Sequence, residues 1–517
     1  MKSYNLTNAN VVTLNSQYSN ISSLTISNGK IESINSPNHR YISLDLQGST
    51  IIPGFIDAHF HLKNFGKRLE MLNLKGIDSI DMIIKKINKR LQTLPSDSWL
   101  IGFGWDQNLW VNQDYPTSDI LDNISPNNPI YLTRIDGHSA WVNKLAIVKT
   151  EATIHDIDNI NGGKVINDCI MIDNAMDFFK HCLPKDTKSQ VKSWIKTAVK
   201  EASKFGLTGV HDAWQDSTTV EAIQELIEEK EFPIRCYGML ASSDKSLLSY
   251  HFSNGHYYDE YLTLRSVKAF IDGALGSRGA ALHESYCDDH NNCGLILISQ
   301  DEFNHLAKDC FDNNFQLNTH AIGDRGNAYV LDTYAQQVKQ NNDRRWRIEH
   351  AQMVGDDELY KFKEFNILPS MQPSHCTSDM PWLDDRIGEY RLPLISRWQS
   401  FIDLGLRIPG GSDCPIETGN PLFEFYAAVT RQNHDGFPSD GWQPQEKVSK
   451  LNALKMFTRW AAYGGFDESR RGTIEIGYDA DLTILSHDLL KINATDVLNT
   501  EILGTIVNGE IIYDRLT

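Results

Sequence analysis

Ile51-Ile-Pro-Gly-Phe-Ile-Asp-Ala-His-Phe-His61 is an apolar run that ends in two imidazoles, His59 and His61, two positions apart. On a β-strand, residues i and i+2 face the same side, so both rings can reach one metal ion. A buried strand has no packing reason to carry two polar rings at its tip, and ligation supplies one. Further short apolar runs follow this one. They are Leu207 to His211, Ile234 to Met239, Val267 to Ile271, Phe315 to Thr319, Trp346 to Ile348, Ile367 to Met371 and Leu406 to Gly410. With Ile51 to Ile56 they make eight. Helix-period stretches such as Lys188 to Lys204, Thr219 to Lys230, Gln300 to Asn313 and Arg325 to Lys339 separate them. Strands alternating with helices predict an α/β fold, here a (β/α)8 TIM-type barrel with its chemistry at the C-terminal ends of the strands. The interval of about 62–206 is too long for one crossover and is expected to carry inserted elements.

The flanks read differently. Asn10-Val-Val-Thr-Leu14, Ser23-Leu-Thr-Ile26 before Asn28-Gly29, and Ile31-Glu-Ser-Ile34 are β-rich runs with turns between them. Gly477-Tyr-Asp-Ala-Asp-Leu-Thr-Ile-Leu485 and Ile502 to Tyr513, around a second Asn-Gly turn, repeat the pattern at the other end. Neither flank has enough strands for its own core. The expected organisation is residues 1–50 and 466–517 as the two parts of one small composite β-sandwich, with the barrel at 51–465 between them.

Composition narrows the class. A chain of 517 residues, 41% hydrophobic and 22% charged, is large enough for a big core plus a smaller domain. No apolar signal core opens the chain, and no run of about 18 apolar residues follows, so a cytoplasmic location without membrane contact is expected. Eight scattered cysteines fit a reducing compartment. A formal charge of −18 repels phosphate backbones, which argues against nucleic acid as a partner. A small-molecule substrate is the expected partner, with a homodimer a compatible assembly.

The polar residues fall at the predicted strand ends. His59 and His61 follow strand 1, Lys268 lies on strand 4, His320 ends strand 5, His350 ends strand 6 and Asp413 ends strand 8. Six such residues in the right order point to one metal-binding mouth. This arrangement resembles the metal-dependent amidohydrolase superfamily, and several segments are similar to its amidohydrolase 3 branch, which includes N-substituted formamide deformylase-like proteins. The segments are Pro53-Gly-Phe-Ile-Asp-Ala-His-Phe-His61, Gly102-Phe-Gly-Trp-Asp-Gln107, Asp136-Gly-His138, Gly206-Leu-Thr-Gly-Val-His-Asp212, Asp272-Gly-Ala-Leu-Gly-Ser-Arg278, Thr319-His-Ala-Ile-Gly-Asp324, Ile348-Glu-His-Ala-Gln352 and Gly410-Gly-Ser-Asp-Cys-Pro415.

The expected chemistry is hydrolysis of a non-peptide carbon–nitrogen bond in an amide, N-formyl or cyclic amide substrate. A divalent ion, with zinc first and manganese or iron as alternatives, lowers the pKa of a bound water from 15.7 to about 7, a preference for hydroxide of roughly 12 kcal/mol. In the expected scheme His59, His61 and Asp413 hold one ion, and His320 and His350 a second, with Lys268 between. An ammonium about 4 Å from a dication is repelled by roughly 8 kcal/mol at an effective dielectric near 20. The resemblance implies the remedy, carboxylation of Lys268 to a bridging carbamate. Asp413 is the expected proton carrier, taking a proton from the water and delivering it to the leaving nitrogen.

Expected substrate contacts are Trp105 and His138 in the inserted region, where a lid would be built along with Asp106, Trp110 and Trp141, and Arg278 and His375 after strands 4 and 7. Cys287, His290 and Cys293 form a three-ligand run that could take a separate zinc. Two other readings stay open: a mononuclear aminohydrolase using His59, His61, His320 and Asp413 with His350 orienting water, and a barrel that has lost catalysis and serves as a binding module.

Overall fold

A computed structural model describes residues 3–135, 137–160, 162–340 and 342–516; Asp136 of the quoted Asp-Gly-His segment lies outside them. Seven parallel strands run in sequence order around the barrel: Phe55–Phe60, Leu207–Gln215, Arg235–Ala241, Leu262–Phe270, Gln316–Ala321, Arg347–His350 and Leu368–Ser370. Each is followed by helical segments, and the predicted helices at 188–204, 219–230, 300–313 and 325–339 appear as Lys188–Lys204, Ser217–Glu228, Gln300–Asp312 and Asp324–Gln337. Residues of Phe55–Phe60 are all buried, as expected of a strand covered on both faces.

The eighth predicted strand, Leu406 to Gly410, is not a regular strand. The segment still closes the ring through single parallel bridges, Met371 to Gly410 and Phe60 to Cys414. Ala58 N–H donates to Gly410 O at 2.9 Å, Met371 N–H to Pro409 O at 3.1 Å and Asp413 N–H to His59 O at 2.7 Å. Pro409 has no N–H for a ladder. Gly411 is pressed so close that a Cβ there would stand 2.4 Å from His59 N. The barrel is therefore nearly closed, with an irregular eighth segment carrying Asp413.

The first predicted strand also needs correction, because Ile51 to Ile56 straddles two sheets. Thr50–Pro53 pairs antiparallel with Leu482–Leu485, and the barrel strand begins at Phe55. Gly54 is the joint: its N–H donates to Asp481 O at 2.9 Å, and a Cβ there would meet the Thr208 side chain at 2.2 Å. Thr50–Pro53 lies in a five-stranded sheet with Asn10–Val11, Leu482–Leu485, Ile502–Val507 and Glu510–Asp514. A four-stranded sheet orders Lys30–Ile34, Leu24–Ser27, Tyr4–Thr7 and Ile42–Asp45. One apolar cluster joins side chains of both sheets, including Leu6, Leu24 and Ile26 with Leu482, Ile484 and Ile506.

Residues Asn64–Trp194 form a compact unit of their own. Its six-stranded sheet is ordered Gly163–Ile166, Ile170–Asp173, Ser139–Val142, Ile130–Arg134, Leu100–Trp105 and Leu72–Asn73. One of its cores gathers Trp105, Trp110 and Trp141 around Leu100, Leu121 and Leu132.

Candidate metal centre

Short-range sequence alternation brings the ends of four barrel strands together. His59 lies on the first strand and His61 just past its end, their ring centroids 5.4 Å apart, and Lys268 and His320 come from the fourth and fifth. His350 and Asp413 sit in the left-handed backbone region, at φ 73° and 57°. Ala351 follows at φ 42°. Such residues cost of order 1–3 kcal/mol each and persist where their surroundings over-determine them.

Among the described residues one set of ligand-type atoms converges: His59, His350 and Asp413 each offer an atom within 4.8 Å of the others, and all three residues are buried. His61 joins them, its Nε2 lying 3.0 Å from Asp413 Oδ1, while His59 Nε2 is 3.4 Å from the same oxygen. Lys268 Nζ is 3.2 Å from His59 Nε2. The His320 ring is 4.5 Å from that of His350, centroid to centroid. All six predicted ligands thus meet at the barrel mouth.

The outer nitrogens of two rings are already engaged. His59 Nδ1 lies 2.6 Å from Glu349 Oε2, and His350 Nδ1 lies 2.7 Å from Gln372 Oε1. Each contact fixes a tautomer whose Nε2 lone pair is left for the centre, as ligating histidines require. Burial, then Lys268, lowers His59 to about 4 and His320 to about 3. Burial with His320 and His59 beside it carries His350 well below its usual value. The rings of His59, His320 and His350 are therefore neutral at ordinary pH, the form in which an imidazole can bind a metal. Burial works to raise the Asp413 carboxyl, but His59, the His61 hydrogen bond and His350 overcome it and hold it well below its usual range. Three acceptors crowded in this way suit a cation, and that is the fit these residues have for a divalent metal.

Several supports escaped the sequence reading. Burial opposes ionisation of Glu349, yet His59, Arg347 and Lys268 hold its carboxyl down at about 2. Burial, with Arg347 adding to it, takes Lys268 down to about 8 against the pull of Glu349 and Asp413. Asp57 ties the first strand to the irregular eighth segment, accepting from His59 N–H at 3.0 Å, Ser412 N–H at 3.1 Å and Ser412 Oγ at 2.5 Å. Asp272 accepts from the N–H groups of Ala281, Ile322 and Gly323 and so shapes the loop after His320. The signal available for Glu349 was a carboxylate next to His350 in Arg347-Ile-Glu-His350; Gln372 had none.

The predicted substrate contacts divide. His375 belongs to the cluster: its ring stacks on His350 at 5.7 Å, and its Nε2 is 3.8 Å from Asp413 Oδ2. Arg278 is paired instead with Asp288, its Nη2 at 2.9 Å from Oδ2. Trp105 is fully buried in the core of the inserted unit, with its indole N–H donating to Leu132 O at 2.7 Å, which leaves it no free face for a ligand. His138 is exposed and lies 2.9 Å from Asp173. Trp110 and Trp141 pack with Trp105 at 6.0 and 6.1 Å. Cys287, His290 and Cys293 do not converge as ligands: Cys287 Sγ accepts from Arg391, and Cys293 Sγ meets Ser285 Oγ at 3.5 Å.

The amidohydrolase family model matches residues 43–513. This chain belongs to the amidohydrolase family. Among relatives, a Bacillus subtilis protein named as an amidohydrolase, YtcJ, is 30% identical over 94% of this chain and 92% of its own. The N-substituted formamide deformylase of Arthrobacter pascens is 24% identical over 100% of this chain and 99% of its own. A crystal structure of a metal-dependent hydrolase from Pyrococcus furiosus matches with a TM-score of 0.80 at 26% identity, over 95% of this chain and 100% of that one. For an amidohydrolase-family barrel, a buried cluster of histidines and an aspartate at the strand ends is the expected place for a metal.

Proposed function

We propose that this amidohydrolase-family protein hydrolyses a non-peptide carbon–nitrogen bond, in an amide, N-formyl or cyclic amide substrate, at a centre built by His59, His61, Lys268, His320, His350 and Asp413. The observation that carries the reading is the convergence of His59, His350 and Asp413, with the outer nitrogens of both rings engaged by Glu349 and Gln372. A divalent cation held there, zinc first, supplies an acidified water and an electrophile for the substrate's carbonyl oxygen. Asp413 accepts the proton of the attacking water and returns one to the departing nitrogen. It suits the task because its Oδ1 faces His59 and His61 while its Oδ2 faces His375. Lys268, lowered to about 8, is neutral often enough to add carbon dioxide, forming an N–C bond and releasing one proton to leave a carbamate whose oxygens could hold metal.

A mononuclear reading draws support from one observation. The converging set His59, His350 and Asp413 cuts across the two ion sets of the binuclear scheme, and it would make His350, the water-orienting residue of the mononuclear scheme, a ligand as well. On either reading the partner is a small molecule, with neither nucleic acid nor membrane involved, in a cytoplasmic protein that a homodimer would suit. The two flanking sheets are proposed to form one composite sandwich over their shared core, with residues 1–50 and 466–517 as its parts and 51–465 as the barrel. The printed name of the Arthrobacter pascens relative makes formamides the first substrates to try. The test is to strip the protein of metal, restore zinc or manganese, and screen N-acyl, N-formyl and cyclic amides. Turnover should return with metal; equal turnover in stripped protein overturns the reading.

A further inference from the structure

Lys245–Asn254 and Gln300–Asp312 stand in the barrel's helix ring with a gap between them. A cleft of about 810 Å³ lies between them, within the range of roughly 300–1,000 Å³ common to small-molecule sites. One wall offers Leu248, Ser249 and Phe252, and the other Leu306 and Asp309. Lys245 to Phe252 covers about 10 Å along one helical face.

The inner end of the cleft is aromatic. Trp214 and Phe270 line it, with ring centroids 5.1 Å apart and planes at 57°. Phe270 is two residues beyond Lys268 on the same strand, so both point to one face. The Phe270 ring lies 4.9 Å from Lys268 Nζ and 5.1 Å from the His320 ring. A single aromatic ring therefore borders both the metal-centre cluster and the cleft. Leu297, 58% exposed, adds apolar surface at the cleft.

We propose that this cleft is the subsite for an arylalkyl arm of the substrate, packed on Trp214 and Phe270 with its reacting amide at the His320 and Lys268 end. The substrate part of this assignment rests on the amidohydrolase reading; the binding of the arm does not. Aromatic faces suit an aryl group in offset or edge-on packing. Beside serine hydroxyls the walls carry charges of both signs, Lys245 against Glu302 and Asp309, which favour neither an anionic nor a cationic chain.

The test uses metal-loaded protein and two exposed positions on opposite walls, Ser249→Trp and Asp309→Trp, each checked for metal content and folding. Calorimetry with 4-phenylbutanol, which has the arm but no amide, reads binding directly. Saturable binding to the wild type, weakened at least about tenfold in both variants, supports the subsite. In parallel, kcat/KM for N-(4-phenylbutyl)formamide relative to N-methylformamide, and for 5-phenylpentanamide relative to acetamide, should fall about tenfold in at least one pair; which pair falls says whether the arm is on the nitrogen or the acyl side. Binding lost in both variants with no turnover of any amide supports the arm site and counts against the hydrolase reading. Absent binding, or equal affinity in wild type and variants, overturns the proposal. So does a change of oligomeric state alone in sedimentation, which would make the gap a contact between two copies of the chain.

Discussion

Replacing Glu349 with Gln tests how the centre is built without touching a ligand. Glu349 is fully buried and holds His59 Nδ1 at 2.6 Å, with Arg347 Nη1 3.8 Å from its other oxygen. Glutamine keeps the size and an acceptor oxygen but removes the charge that makes His59 a stronger ligand. A hydrogen bond to a charged group contributes about 1.5–3 kcal/mol, and at 1.4 kcal/mol per tenfold that is about 10- to 100-fold in metal affinity. The same range is typical when a partner of a ligating histidine is changed. Competition against a chromophoric chelator measures the dissociation constant, and near-UV circular dichroism checks that the core is intact. A folded Glu349→Gln protein whose metal affinity stays within about twofold of wild type refutes the role given to Glu349.

Other outcomes follow from the same geometry. Asp413→Asn should keep most of its metal while turnover falls by about two to four powers of ten, the range of general acid–base groups; near-normal turnover would make Asp413 a ligand only. Lys268→Ala should halve the bound metal if the lysine bridges two ions, and a short carboxylic acid should partly restore activity, whereas a mononuclear centre shows neither effect. In metal-free protein, the Glu349 carboxyl at about 2 against a usual 4.5 contributes stability that is in place above about pH 4.5 and is lost as pH falls toward 2; urea midpoints across that window should drop in wild type and flatten in Glu349→Gln. Deleting residues 1–45 removes Leu6, Leu24 and Ile26 from the core they share with Leu482 and Ile506, so insoluble protein is expected, and a soluble, active truncation would show that the flanks are independent.

Strands two to seven of the barrel were legible because each is a short apolar run with helical sequence after it, and tertiary packing agreed with the local pattern. The ends of the ring were harder. Ile51 to Ile56 looks continuous in sequence, and the change of strand partner at Gly54 reveals where one sheet stops and the next begins. At 406–414 the apolar run was visible, but Pro409 and the crowded Gly411 leave bridges in place of a ladder. The metal-type residues could be read because their side chains are unexpected at strand ends. The roles of Glu349 and Gln372 as partners of those histidines could not, since an outer partner is defined by where it lies in space. Trp105 shows the opposite limit: an aromatic residue in an insertion reads alike whether it faces a ligand or, as here, fills a core.

The most direct test of the metal centre is the divalent metal content of the purified protein, measured by elemental analysis in wild type, His59→Ala and His350→Ala. The account predicts one or two ions per chain in wild type and loss of most of that metal in each folded variant. Equal metal content in all three proteins, or none in a wild type that hydrolyses amides, would contradict it.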